Sequence, residues 1–230
     1  MTEVYRIVGI DPGKERDYFA MVVILVRDKK IYVLGAKRWP LGTPYYQVEE
    51  DLAQIDQKYP DQLYVVEKNN TGANVIEVLR DQKGLHVLGV TTSNNLKNPD
   101  RFRNTMDKNA MVLQMKAWFD EERIEFPRDN AEISELKRQL SNYSKKITQG
   151  GSVSYGASGQ EHDDLVMALM LACFAARKYL KPGSRRHFAT SSRGTEDDDY
   201  LESRFSGGVE STGRDILMPK GPRYGGYRIH

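Results

Sequence analysis

Apolar residues recur along this chain in two rhythms. Short runs rich in Ile, Val, Leu and Tyr, bounded by Pro, Gly, Asn or charged pairs, occupy residues 6–11, 18–27, 30–38, 63–67 and 85–90. Runs of that length and composition predict strands. Asp28-Lys29-Lys30 is a short polar connection, so the second and third strands should form a hairpin. Helical spacing appears over 48–59, with Leu52 and Ile55 on one face. It returns over 70–82, where Val75, Ile76, Val78 and Leu79 point inward behind an Asn or Thr cap. A helix over 108–121 places Met111, Val112, Met115 and Phe119 inward, and further helices are predicted over 131–142 and 161–180. Residues 143–158 read as a Gly-rich hairpin. Three meandering strands followed by alternating helices and strands predict an α/β domain, a mixed sheet with helices on both faces.

The rhythm stops at Lys181-Pro182-Gly183. Residues 182–230 are rich in Gly, Ser and Arg, poor in aliphatics, and include an acidic run at 196–199. Such a segment cannot bury enough apolar surface to fold alone. The expected organisation is one core domain over 1–181 and a flexible tail over 182–230. The 230 residues suffice for one sizeable core. A formal net charge of +2 excludes a global basic excess, so any nucleic-acid surface must be local. One cysteine, Cys173, excludes a disulfide framework and a Cys-based zinc site and reads as a core residue. No apolar stretch is long enough for a membrane span and no signal-peptide pattern opens the chain, so a cytoplasmic protein is expected.

The candidate chemistry lies in acids at element ends. Asp163 and Asp164 open the last apolar helix; Asp11 and Glu67 end the strands Arg6–Asp11 and Leu63–Glu67. Ionised carboxylates are costly to bury unless something positive pairs with them, and a divalent ion does so far better than a helix N-terminus. Ligands in open α/β sheets collect at the carboxyl ends of strands. Each acid also has a plain reading: Asp11 as a turn acid before Pro12-Gly13, Glu67 as a partner of a lysine, Asp163 or Asp164 as a helix cap. Asp17 reads best as a solvated turn residue, and His162 either orients a carboxylate or caps the helix.

Three blocks carry a resemblance: Ile10-Asp11-Pro12-Gly13, Val65-Val66-Glu67-Lys68-Asn69-Asn70-Thr71-Gly72, and His162-Asp163-Asp164-Leu165-Val166-Met167-Ala168. In order and spacing they resemble the acidic motifs of the nuclease domain of the large terminase subunit, the DNA-packaging motor of tailed double-stranded DNA viruses, over roughly residues 5–180. The resemblance implies an RNase H-like fold and a metal-dependent endonuclease cutting double-stranded DNA. It implies two Mg²⁺ or Mn²⁺ ions, and as partners the portal, the small terminase subunit and an ATPase domain. No G-x-x-x-x-G-K-[S/T] phosphate loop occurs in this chain, so translocation cannot be assigned to it.

Two divalent ions about 3.5–4 Å apart would activate a water, neutralise the phosphate and stabilise the leaving oxygen. Asp11, on the central strand, would bridge them, with Glu67 holding one ion and Asp164 the other. The resemblance ranks Asp164 above Asp163, which serves as a further ligand or stands just outside the ligand set. Candidate phosphate contacts are Lys108, where the family often begins a helix with lysine, and Lys137, Arg138, Lys145 and Lys146, interleaved with Tyr143 and Tyr155. The plain alternative for these five is a solvated charged face. Competing functions are a Holliday-junction resolvase or ribonuclease H on the same fold, a sugar-kinase or actin-like nucleotide binder, and a non-catalytic portal-docking module. A second phosphate loop, which the nucleotide binder needs, is not found.

Overall fold

The computed structural model describes residues 5–13, 15–93, 105–147, 153–157 and 162–180. The expected tail, 182–230, and Glu161 lie outside the described residues. Seven strands form one sheet in the order β6-β5-β4-β1-β2-β3-β7: β1 Tyr5–Asp11, β2 Ala20–Arg27, β3 Lys30–Arg38, β4 Leu63–Glu67, β5 Val87–Ser93, β6 Thr105–Asp107 and β7 Ile124–Glu125. β2 pairs antiparallel with β1 and β3, while β1–β4, β4–β5, β5–β6 and β3–β7 are parallel. The sheet is therefore mixed, as its β1–β3 meander predicts. Asp28 and Lys29 both take positive φ, 52° and 63°, which closes the two-residue hairpin between β2 and β3 with the twist its strands require.

Helices cover both faces. α1 (Tyr45–Lys58) and α2 (Gly72–Glu77) bury Val48, Leu52, Val75 and Ile76 against Val8, Ile10, Tyr64 and Val66. The opposite face carries α5 (Asp164–Leu180), buried from Leu165 to Ala176. Side chains alternate along a strand. Gly9 therefore faces α5, and a Cβ there would collide with the Ala168 carbonyl oxygen. Only glycine lets the helix lie so close to the central strand. α3 (Lys108–Asp120) and α4 (Ala131–Asn142) begin on side-chain caps: Asp107 accepts from Ala110 N–H at 3.0 Å and Asn130 from Ile133 N–H at 2.9 Å. The predicted Gly-rich hairpin is present as β8 (Tyr143–Ile147) and β9 (Val153–Ala157). Cys173 is buried in α5, and burial pushes its thiol pKa up. No helix among the described residues is long and apolar enough to cross a membrane.

Several elements depart from the predicted boundaries. α1 starts three residues early, behind Pro44 rather than at Val48. The helix expected over 70–82 is shorter: Asn70 takes a left-handed φ of 52°, and a wider turn over Val78–Gln82 follows α2. Thr71 stands at its cap position without a capping hydrogen bond, its hydroxyl lying 3.0 Å from that of Tyr45. The wide turn ends at Gly84 (φ 71°) and delays β5 to Val87. The very short β6 and β7 were not expected; strands of two or three residues have no apolar rhythm to read.

Candidate metal centre

Parallel pairing of β1 with β4 runs from Ile7 with Leu63 to Ile10 with Val66. That register brings Asp11 and Glu67 side by side at the carboxyl ends of the two central strands. By alternation both share the face of Gly9 and Val65, the face on which α5 packs. α5 begins at Asp164. The first two acids thus meet the third because a glycine lets a helix descend onto the middle of the sheet.

The helix start is organised from outside. The Asp163 carbonyl accepts from Met167 N–H at 2.9 Å, so Asp163 is the residue just before the helix and Asp164 its first residue. Gln139 of α4, fully buried, caps the turn: its Oε1 accepts from Leu165 N–H at 3.0 Å. Glu135 Oε1 accepts from Gln139 Nε2 at 3.1 Å and holds that amide in orientation. This borrowed cap serves the N–H of the residue that follows the two aspartates. It went unread in the sequence because α4 and α5 are far apart along the chain.

Glu67 is gripped on one side. Asn69 Nδ2 donates to Glu67 Oε1 at 3.1 Å, and to the carbonyl and hydroxyl oxygens of Thr92 at 2.9 and 3.0 Å. The Thr92 hydroxyl itself donates to Glu67 Oε1. The loop after β4 and the end of β5 therefore fix one oxygen of this carboxylate. Gly72 permits the tight return of the chain here; a Cβ would collide with the Glu67 carbonyl oxygen.

The electrostatics are those of acids facing acids. The Asp11 carboxyl is pushed well above the usual carboxylate range, first by burial, then by the charges of Glu67 and Asp164, a hydrogen bond with Glu67, and the charge of Asp163. Asp164, 3% exposed, is pushed up to about 6, chiefly by burial, with Asp17 and Asp163 adding to it and His162 opposing. Its Oδ2 is buried with no hydrogen-bond partner among the described residues. An orphaned buried carboxylate oxygen beside further acids is the signature of a site made for a cation.

The structure also draws in two residues that the sequence favoured as bystanders. Ligand atoms of Asp17, His162 and Asp164 all lie within 4.8 Å of one another. His162 Nδ1 is 3.8 Å from Asp164 Oδ2 and 3.9 Å from Asp17 Oδ1. Tyr18 packs edge-on against the His162 ring at 5.0 Å, and Arg38 sits 4.8 Å over Tyr18. Carboxylate oxygens suit Mg²⁺ and Mn²⁺, and an imidazole suits later divalent ions.

The five basic candidates separate. Lys108 Nζ is 4.0 Å from Asp163 Oδ2. Lys146 donates to the Ala157 carbonyl, and a Cβ on Gly156 would lie 3.9 Å from Lys146 Nζ and 3.6 Å from Asp163 Oδ2, so the hairpin flanks the acids. Lys145 is exposed on β8. Arg138 is tied to both oxygens of Glu135, at 2.8 and 2.9 Å. Lys137 requires a correction: its side chain is buried, pairs with Asp129 and lies 5.6 Å over the Phe126 ring. It is a structural cation, not one offered to a phosphate.

The family described as "Terminase RNaseH-like domain" matches residues 8–176. Solved structures agree. The large terminase nuclease of thermophilic phage G20c with bound magnesium superposes with a TM-score of 0.59 at 20% identity, covering 74% of this chain and 80% of that one. The nuclease domain of the Thermus phage P74-26 large terminase gives 0.59 at 19% identity, covering 80% and 84%. A large terminase from another thermophilic bacteriophage gives 0.57 at 15% identity, covering 77% of this chain but 40% of that one. No curated protein sequence matches the chain.

Proposed function

The chain belongs to the terminase RNase H-like domain family, and from that premise we propose that it is a metal-dependent endonuclease. Its substrate would be double-stranded DNA, cut during packaging of a viral genome. One observation carries the reading: Asp11, Glu67 and Asp164 converge from three elements, and the charges of Glu67 and Asp164 add to burial in pushing the Asp11 carboxyl upward. Bound there, Mg²⁺ or Mn²⁺ would supply Lewis-acid stabilisation of phosphate charge and a more acidic water.

The residues divide the remaining work. Asp11, on which the charges of Glu67, Asp164 and Asp163 all act, would serve two ions. Glu67 offers its second oxygen while Asn69 and Thr92 hold the first. Asp164 contributes its orphaned Oδ2 and adjoins Asp17 and His162, which gives the second ion position its own ligands. Asp163, 4.0 Å from Lys108, stands at the edge of the set. Lys108, Lys145 and Lys146 would meet DNA phosphates without reading bases; Arg138 would add only general attraction. The proposed partners are the portal, the small terminase subunit and an ATPase domain, and the proposed location is the host cytoplasm. Residues 182–230 would be a separate tail beyond the 1–181 nuclease domain.

The test is incubation of the chain with supercoiled plasmid in Mg²⁺, Mn²⁺ or excess chelator, beside a four-way junction and an RNA–DNA hybrid. Nicking and linearisation that require the ion, with little sequence preference, support the reading. Equal cutting in chelator overturns the metal mechanism. Cutting of the junction or hybrid alone transfers the site to a resolvase or ribonuclease H.

A further inference from the structure

One buried polar group beside the acids has no assigned work. Tyr143 is the residue at which α4 passes into β8, held there by its N–H donating to the Leu140 carbonyl. It is 1% exposed, and its hydroxyl has no hydrogen-bond partner among the described residues. Leaving a hydroxyl dry and unpaired costs on the order of 1–3 kcal/mol in proteins. Tyrosines so deeply buried normally find a partner for the hydroxyl. A phenylalanine would fill the same space without that cost.

The residue stands beside the acids. Lys108 Nζ lies 6.0 Å from the Tyr143 ring centroid and 4.0 Å from Asp163 Oδ2, so one ammonium stands between the ring and the acid group. Across β8–β9, Tyr143 pairs with Ala157, next to Gly156, whose open position abuts Asp163. The charges of Asp163, Asp11 and Glu67 act on the phenol from the acid side and, with burial, push its pKa up. It therefore remains a neutral O–H across the working pH range. Carboxylates already supply acceptors here, and an ion bound among them keeps waters whose oxygens need orienting.

We propose that Tyr143 is a positioning residue for the metal centre, its hydroxyl donating to an oxygen in the water layer of the bound divalent ion. The inference rests on the reading that the acid cluster binds such an ion. It makes the α4–β8 junction part of the site, and it gives the α4-to-hairpin connection a function beyond carrying basic residues.

The test compares wild type with Tyr143→Phe as full chains. Mn²⁺ is titrated while the electron paramagnetic signal of the free ion is followed, and melting is measured in chelator and in saturating Mn²⁺. An outer-layer contact of this kind is worth about 10- to 100-fold in ion affinity. The expected result is a Mn²⁺ dissociation constant raised by roughly tenfold. The midpoint in chelator should be unchanged or higher, because the substitution removes an unpaired buried hydroxyl. The ion-induced rise in midpoint should shrink. An unfolded or strongly destabilised Phe variant in chelator would show that the hydroxyl has a structural partner and overturns the proposal. Equal Mn²⁺ affinity for both proteins overturns it too, while leaving the acid cluster as an ion site. A wild-type chain that binds no Mn²⁺ overturns both readings.

Discussion

Carboxylates in two parts of this molecule titrate in opposite directions. On α4, Glu135 is drawn down to about 2 by its hydrogen bonds with Arg138 and Gln139 and by the charges of Arg38 and Arg138. At the ends of β1 and α5, Asp164 is pushed up to about 6 and Asp11 well upward. Burial is the first cause for Asp11 and Asp164, whereas hydrogen bonds and positive charges outweigh it at Glu135; the partners widen the separation. Arg38 reaches Glu132 and Glu135 at 3.2 Å each, tying β3 to α4, whereas the groups acting on Asp11 are Glu67, Asp164 and Asp163. Arginines face the acids of α4, whereas further acids face Asp11. Gln139 joins the two patches, with its amide nitrogen on Glu135 and its oxygen on the first turn of α5.

The largest expected effect follows from removing the acids at the element ends. Asp11→Asn, Glu67→Gln and Asp164→Asn should each lower ion-dependent plasmid cleavage on the order of 100-fold or more, since each takes an oxygen from the ions. In chelator their melting midpoints should stay level or rise, because one source of like-charge repulsion is gone. A marked loss of midpoint in chelator for all three would make them structural acids and erase the contrast with α4.

Arg38→Met should produce the opposite pattern. It removes the guanidinium that Glu132 and Glu135 share, while Glu135 keeps Arg138. The expected loss is about 2 kcal/mol, discounted because the groups are part-exposed, or roughly 4–8 °C in midpoint. Mn²⁺ affinity should be unchanged. Thermal melting and ion titration of the same preparation check both halves, and a variant that loses ion binding without losing stability would overturn the division.

This contrast was only half legible in the sequence. The acids at strand ends and the last helix start could be located from apolar runs stopped by Asp, Glu, Pro and Asn, because local periodicity encodes where an element ends. Asp11, Glu67 and Asp164 do converge. What could not be read was pairing across the fold. Lys137 looked like a phosphate contact because its neighbours are basic, yet tertiary packing buries it on Asp129 and Phe126. Asp17 looked like a solvated turn acid, and it is exposed, but the β1–β2 connection also carries it beside His162. Gln139 gave no signal at all, since a glutamine that caps another helix resembles any polar residue on an amphipathic one.

Gln139→Leu tests the joint between the patches. It leaves the Leu165 N–H without its acceptor in a buried place, at a cost of about 1–3 kcal/mol. Asp163, just outside the helix, can swing in as a substitute cap. Stability should therefore fall modestly and Mn²⁺ affinity should weaken together. Gln139→Glu, which keeps an acceptor, should recover the helix start better than leucine does. If leucine shifts only the midpoint, the cap is structural and does not free the aspartates.

The smallest effect is a slope with pH. In the unfolded chain Asp164 has the ordinary value of 3.8; in the folded chain it stands at about 6. Between those values the native state holds a proton that the unfolded state has lost, so stability falls as pH rises. The contribution is complete below 3.8 and gone above about 6. Glu135 moves oppositely, its contribution being present above 4.5 and lost as pH falls toward 2. Between roughly pH 5 and 7 Glu135 is therefore silent, while Asp164 still acts. The chelated protein should lose a few degrees of midpoint across that window, and Asp164→Asn should flatten part of the decline. Saturating Mn²⁺ should reverse the slope, because ion binding requires deprotonated carboxylates and strengthens as pH rises. Melting of wild type and Asp164→Asn in chelator at half-unit pH steps gives the comparison. A midpoint difference between them that stays constant across the window would mean that Asp164 has the same pKa folded and unfolded, and that the acids at the strand ends are as well neutralised as those on α4.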